Sequence, residues 1–301
     1  YSAQILSGVM MVAMCLNFIS LSKGSADRIC EVLNEKTTLP KPENPVFEVK
    51  NGAVDFNGVS FAYMQKADEK VLTNIDIHIA EGETVGIIGA TGSGKTSLVS
   101  LIPRLYDVSE GSVTVGGVDV RDYNIDTLRN NVAMVLQKNV LFSGSVAENL
   151  RWGDESATEE DLRFAVKQAC AEEFIDALPG GFDYDLGQGG VNVSGGQKQR
   201  LCIARAMLKK PKIIIFDDST SAVDTKTDAS IRAALRRYAP QTTKIIIAQR
   251  VASVQDADKI IVLDEGAVSG IGTHSELLEN NAIYRDVYSS QVKSGREKEA
   301  V

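Results

Sequence analysis

Three stretches of the sequence predict an α/β fold with a mostly parallel sheet and helices on both sides. The first is Thr84-Val85-Gly86-Ile87-Ile88, an apolar run that reads as a buried strand. It leads through the glycine-rich Gly89-Ala90-Thr91-Gly92-Ser93-Gly94-Lys95-Thr96 into a helix beginning near Ser97. The second is Ile213-Ile214-Ile215-Phe216, which ends on two aspartates, Asp217 and Asp218, and the third is Lys244-Ile245-Ile246-Ile247-Ala248. With 301 residues there is ample material for a core. The net charge of −8 argues against a nucleic-acid binder relying on a broad basic field.

The N-terminus differs in kind. Tyr1 to Ser22 carries no charge, and Ile5 to Ile19 is dominated by Ile, Leu, Val, Met and Ala. A helix of that length spans roughly 33 Å at about 1.5 Å per residue, enough to cross a bilayer core. Lys23 and Arg28 follow it, as suits the cytoplasmic end of a membrane helix. No basic segment precedes the run and no small-residue cleavage site ends it, which argues against a signal peptide. The alternative is a helix covered by protein. Because the chain does not begin with Met, the expectation is the carboxy-terminal part of a longer membrane protein.

Residues 1–36 are thus expected to be a membrane-helix end with its cytoplasmic extension, and 37–45 a proline-rich linker, Leu39-Pro40-Lys41-Pro42-Glu43-Asn44-Pro45. A soluble domain is expected over 46–291. It opens with Val46-Phe47-Glu48-Val49 and Val54-Asp55-Phe56, which alternate like edge strands of an antiparallel sheet. Residues 292–301 lack an apolar period and read as a flexible tail. Cys15, Cys30, Cys170 and Cys202 have no metal-ligand spacing and read as small apolar residues.

The glycine-rich stretch has the order of a phosphate loop (Walker A). Glycines at 89, 92 and 94 let the backbone turn its N–H groups toward phosphate oxygens, and the following helix N-terminus adds partial positive charge. Lys95 can reach the β- and γ-phosphates, and Thr96 can place a hydroxyl on Mg²⁺. Asp217, at the end of an apolar strand, is the expected acidic partner of that cation. The chain therefore reads as binding ATP with Mg²⁺.

Val193-Ser194-Gly195-Gly196-Gln197, followed by Lys198-Gln199-Arg200-Leu201-Cys202-Ile203-Ala204-Arg205-Ala206, resembles the signature motif of ATP-binding-cassette (ABC) proteins. Order and spacing resemble the exporter-type cassette: phosphate loop, Gln137, signature, acidic strand end, then Ser221-Ala222-Val223-Asp224. The likeness covers residues 46 to 290, and the apolar helix before them resembles the last membrane helix of a half-transporter. It implies a phosphate-loop core, an antiparallel β part and a helical subdomain over about 139–185, with a helix from Glu159 to Ala171.

The resemblance also implies roles. Two cassettes pair head to tail, so each nucleotide lies between one chain's phosphate loop and the other's Ser194, Gly195, Gly196 and Gln197. As chemistry, a Ser-Gly-Gly turn opening a helix offers free N–H groups and a hydroxyl to an anion; an ordinary helix cap is the alternative. Tyr63 matches the aromatic residue that stacks on adenine, with Val71 beside the nucleotide; by spacing alone Tyr63 is a half-buried strand residue. Gln137 matches the glutamine that touches Mg²⁺ and the attacking water, a plain surface glutamine being the other reading. Asp224 matches the residue that signals across the cassette interface.

Two departures stand out. Members that hydrolyse ATP efficiently carry glutamate where this chain has Asp218, whose reach is shorter by roughly 1.5 Å, and water positioning tolerates errors of only about 1 Å. They also carry histidine where this chain has Gln249, which can hydrogen-bond phosphate but cannot become a cation. A softer departure is Gln188, where glutamate is frequent in a loop facing the membrane domains. Asp218 and Gln249 act on the nucleotide held by this chain, whereas the signature acts on the partner's. The expected partner is therefore a second, different half-transporter, with a homodimer as the other arrangement, in the plasma membrane and with the cassette on the cytoplasmic side. The rival reading is a soluble ABC ATPase acting on ribosomes or nucleic acid. The exported substrate is not encoded in these residues.

Overall fold

Continuous apolar runs become strands buried on both faces, and alternation along them divides the interior into two cores. In the strand Ile213–Asp217, Ile213 and Ile215 enter one core while Ile214 and Phe216 enter the other. Ile245 and Ile247 part from Ile246 and Ala248 in the same way. The period-2 geometry of a strand makes both statements one. A computed structural model describes residues 1–35, 37–64, 69–218 and 225–299, with backbone alone at 225 and 293–299.

Two compact units are present, Tyr1–Pro40 and Lys41–Val301. The first holds a single helix, α1 (Ser2–Asn34), of 33 residues with mean hydropathy 2.0 over its most apolar stretch and no buried side chain. It is long and apolar enough to cross a membrane.

The second unit begins with β1 (Val54–Phe61), β2 (Leu72–Ile79), β3 (Thr84–Gly89), α2 (Lys95–Ser100), β4 (Glu110–Val115) and β5 (Val118–Asp119). Then come α3 (Ile125–Asn131), β6 (Val132–Val135), α4 (Val146–Arg151), α5 (Glu159–Gln168), α6 (Glu172–Asp176) and α7 (Gly195–Leu208). The last part is β7 (Ile213–Asp217), α8 (Thr225–Tyr238), β8 (Thr243–Ile247), β9 (Lys259–Asp264), β10 (Ala267–Gly272), α9 (His274–Asn280) and α10 (Ala282–Glu299).

Six strands form one sheet in the order β10-β9-β3-β8-β7-β6, parallel throughout except for the antiparallel edge strand β10. Four others form an antiparallel sheet in the order β2-β1-β4-β5. One core lies between the two sheets and includes Val54, Leu72, Val99, Ile215 and Ile261. The other joins the parallel sheet to α4, α5, α7 and α8 through Leu150, Leu162, Leu201 and Ile231.

The sequence expectations need correction at three places. Residues 46–49 are not an edge strand, since only Val46 bridges, in parallel, to Tyr123; the strand starting at Val54 is paired, but it lies inside its sheet between β2 and β4 rather than at an edge. α5 ends at Gln168 rather than Ala171, because Cys170 adopts φ 53°, a left-handed conformation that breaks the helix. Beyond 291 the backbone stays helical to Glu299, where the pattern read as a tail.

Candidate functional site

The phosphate loop bridges β3 and α2 as its spacing predicts. Gly92 and Gly94 hold φ of 85° and 91°, conformations that side chains rarely adopt. At Gly89 the constraint is approach: a Cβ there would lie 2.2 Å from the Leu263 carbonyl oxygen. Lys95 folds back over the loop, its Nζ donating to Gly89 O at 2.8 Å, Ala90 O at 2.6 Å and Ser93 Oγ at 3.3 Å. Those bonds use the three ammonium donors that phosphate oxygens could otherwise accept from.

Next to Lys95, Thr96 Oγ1 donates to Asp217 Oδ1 at 3.1 Å. Burial pushes the Asp217 carboxyl above the ordinary carboxylate range, Asp218 adding to the effect and the Thr96 bond opposing it. Burial also lowers the Lys95 ammonium, against the pull of Asp218 and Asp217. A desolvated carboxylate beside a hydroxyl fits a small hard cation that retains waters and takes its other oxygens from phosphate. Thr96 and Asp217 would hold Mg²⁺, with Gln137 lining the same cleft.

Asp218 is placed unlike its neighbour. It follows β7 with φ 47°, and its Oδ2 accepts from Gln249 Nε2 at 2.6 Å and from Gln137 Nε2 at 3.2 Å. The fold thus gathers Gln137, Asp218 and Gln249 on one carboxylate oxygen. A cleft of about 250 Å³ is lined by Val71, Thr91, Gly92, Gly94–Ser97, Gln137, Asp217, Asp218, Ile247 and Gln249.

Tyr63 lies just past β1, 53% exposed, its hydroxyl within 2.8 Å of Ser97 Oγ. Its ring meets Phe61 and Tyr106 edge-on, with centroids 4.9 and 5.1 Å away. Tyr106 and Ser97 were not singled out in the sequence; only the fold brings them to Tyr63. The exposed ring face is what a nucleobase needs for stacking.

The signature lies elsewhere. Ser194 caps α7, accepting from the Gln197 N–H at 3.3 Å, while Gln197 Oε1 accepts from the Ser194 N–H at 2.8 Å. This is a capping box, so the ordinary-cap reading is correct as far as it goes. The Ser194 hydroxyl uses a lone pair there, which leaves its O–H able to donate to an anion. A Cβ at Gly195 would meet nothing within 4 Å, so the turn is open to approach. None of the cleft-lining residues named above comes from α7. Asp224 falls outside the described residues. Gln188 starts a short 3-10 turn ending at Gly190.

The family model for the ABC transporter matches residues 72–221. An uncharacterized ABC transporter ATP-binding protein of Mycobacterium tuberculosis is 43% identical over 296 residues, 97% of this chain and 50% of that protein. An ATP-dependent lipid A-core flippase of Desulfotalea psychrophila is 39% identical over 284 residues, 94% of this chain and 49% of the flippase. Among solved structures, a bacterial Atm1-family ABC exporter with ATP bound superposes with a TM-score of 0.87 at 32% identity, covering 93% of this chain and 49% of the exporter. The chain spans about half the length of these relatives.

Proposed function

The chain belongs to the ABC transporter family, and from that premise we propose that it is the ATP-binding and ATP-hydrolysing half of an exporter. It works in a head-to-tail cassette dimer, coupling nucleotide turnover to movement of a substrate across the plasma membrane. The observation that carries this is the cleft itself: phosphate loop, Lys95, Thr96 and Asp217 converge there, yet no α7 residue is among those lining it. A nucleotide so held still has an open face, and the Ser194-Gly195-Gly196 turn is the kind of surface that closes such a face in a second chain. The apolar α1 supports membrane attachment, and the flippase and exporter likenesses support export rather than work on ribosomes or nucleic acid.

Each residue has a task in this reading. Lys95 turns from its loop carbonyls to the β- and γ-phosphates, and the loop N–H groups bind the remaining oxygens. Tyr63 stacks on the base beside Val71. Bound Mg²⁺ supplies charge neutralisation on the phosphates, held by Thr96, Asp217 and Gln137. Asp218 must accept a proton from the attacking water, and here it is poorly equipped. Its side chain is short, and Gln137 and Gln249 both donate to one of its two carboxylate oxygens.

Hydrolysis at this chain's own cleft is therefore slow, and a different half-transporter supplies the competent second site, completed by Ser194, Gly195 and Gly196 from this chain. Two measurements test this. A purified homodimer of the full-length protein turning over at rates typical of intact exporters, about 1–10² s⁻¹, would sink the slow-site reading. The double substitution Asp218→Glu, Gln249→His is expected to raise ATPase activity at this cleft, and Lys95→Ala to abolish it.

A further inference from the structure

Gln249 reaches Asp218 from a loop between β8 and a short 3-10 turn, Val251–Ser253. The backbone on either side of Arg250 carries a second contact. The contact comes from α10. Gln291 Nε2 donates to the Gln249 carbonyl oxygen at 2.7 Å, and Gln291 Oε1 accepts from the Val251 N–H at 2.9 Å. One planar carboxamide thus satisfies an acceptor and a donor on either side of Arg250. Two bonds from a rigid group fix orientation as well as distance.

The helix presenting Gln291 is itself anchored. Tyr284, seven residues earlier and hence on the same helix face, is fully buried, and its hydroxyl lies 2.7 Å from His274 Nδ1. Its N–H donates to Asn281 Oδ1 at 2.8 Å. Val287 and Tyr288 pack against the core that contains Val251 and Val254. A path of direct contacts therefore runs from α10 through Gln291, the backbone at 249 and the Gln249 amide to Asp218, where Gln137 arrives from the other side.

Resting on the reading of this cleft as an ATP site, we propose that Gln291 is a positioning residue for hydrolysis. Through the backbone of Gln249 and Val251 it sets where the Gln249 amide meets Asp218 and the terminal phosphate. A residue that merely stitched α10 to the domain would affect stability; this one affects turnover at bound nucleotide.

The test uses the full-length transporter in nanodiscs. Hydrolysis is read on this chain from the ADP-to-ATP ratio of α-labelled azido-ATP crosslinked to it. Gln291→Ala is expected to lower kcat about tenfold, the scale of a sub-ångström misplacement, with KM for ATP within about twofold. In a Gln249→Ala background the same change is expected to alter kcat by less than about twofold, because the group it positions is gone. Equal losses in both backgrounds, or an unchanged kcat in the first, overturn the inference. If Gln291→Ala fails to fold, Gln291→Glu carries the same comparison: it keeps the acceptor for Val251 and loses the donor to Gln249. Turnover that survives Lys95→Ala would overturn the ATP-site reading and this inference together. Lys95-dependent turnover indifferent to Gln291 overturns this inference alone.

Discussion

Asp218 combines two local features that bear on its chemistry. Its φ of 47° is left-handed, a region that aspartate and asparagine enter more readily than longer side chains. Its carboxylate accepts from two glutamine amides, an arrangement that an asparagine oxygen can reproduce. Asp218→Asn is thus expected to leave the melting temperature within about 2 °C while removing any capacity to take a proton. Hydrolysis at this cleft should then fall less than about tenfold, against the roughly 10²–10⁴-fold that a competent general base supplies. Chain-specific single-turnover hydrolysis checks it, and a loss of a hundredfold or more would make Asp218 an effective base after all. Asp218→Glu meets the opposite problem, since glutamate is less tolerant of this backbone; the single change is expected to cost about 1 kcal/mol in urea unfolding.

Four helix starts share one local device. Ser145 with Glu148, Thr158 with Asp161, Ser194 with Gln197 and Thr273 with Glu276 all form capping boxes. Ser145→Ala removes the box of α4 and is expected to cost about 1 kcal/mol in denaturant unfolding. At α5, hydrogen bonds from Thr158, then Lys210, hold Asp161 down at about 2, from an ordinary 3.8. A depressed carboxylate contributes stability that is whole above its unfolded value and lost as pH falls through the folded one. The difference in urea midpoint between wild type and Asp161→Asn should therefore be constant above about pH 5 and shrink as pH drops from 3.8 toward 2. A difference independent of pH would show that the ion is not involved. Strands buried on both faces were legible because their apolar runs are continuous, and the phosphate loop because its parts are contiguous. The stretch 46–49 misled because alternation alone does not supply a pairing partner. The Gln249–Asp218 bond links residues 31 apart and the Gln291–Gln249 bond residues 42 apart. Neither leaves a local pattern, so only the folded sheet and the docked α10 reveal them.

At the scale of the whole chain, the cleft places desolvated charges of both signs together: burial raises the Asp217 carboxyl and lowers the Lys95 ammonium. Without nucleotide that is a cost, partly offset by the bonds Lys95 makes to its own loop. Bound Mg²⁺ and phosphate restore the missing partners, so ligand should stabilise the unit Lys41–Val301 beyond what its contacts alone suggest. A ligand at a hundred times its dissociation constant adds about 2.7 kcal/mol to the folded state. For a unit of this size that corresponds to a rise in melting temperature of roughly 5–10 °C. The chain is held in detergent for this measurement, because α1 exposes its apolar side chains along its whole length. Lys95→Ala should abolish most of the rise, whereas Ser194→Ala should leave it nearly intact in the isolated chain, since α7 contributes nothing to the cleft lining. Calorimetry with and without MgATP separates the two. An equal loss in both variants would mean that the signature already touches the nucleotide within one chain, and the head-to-tail dimer would lose its physical reason.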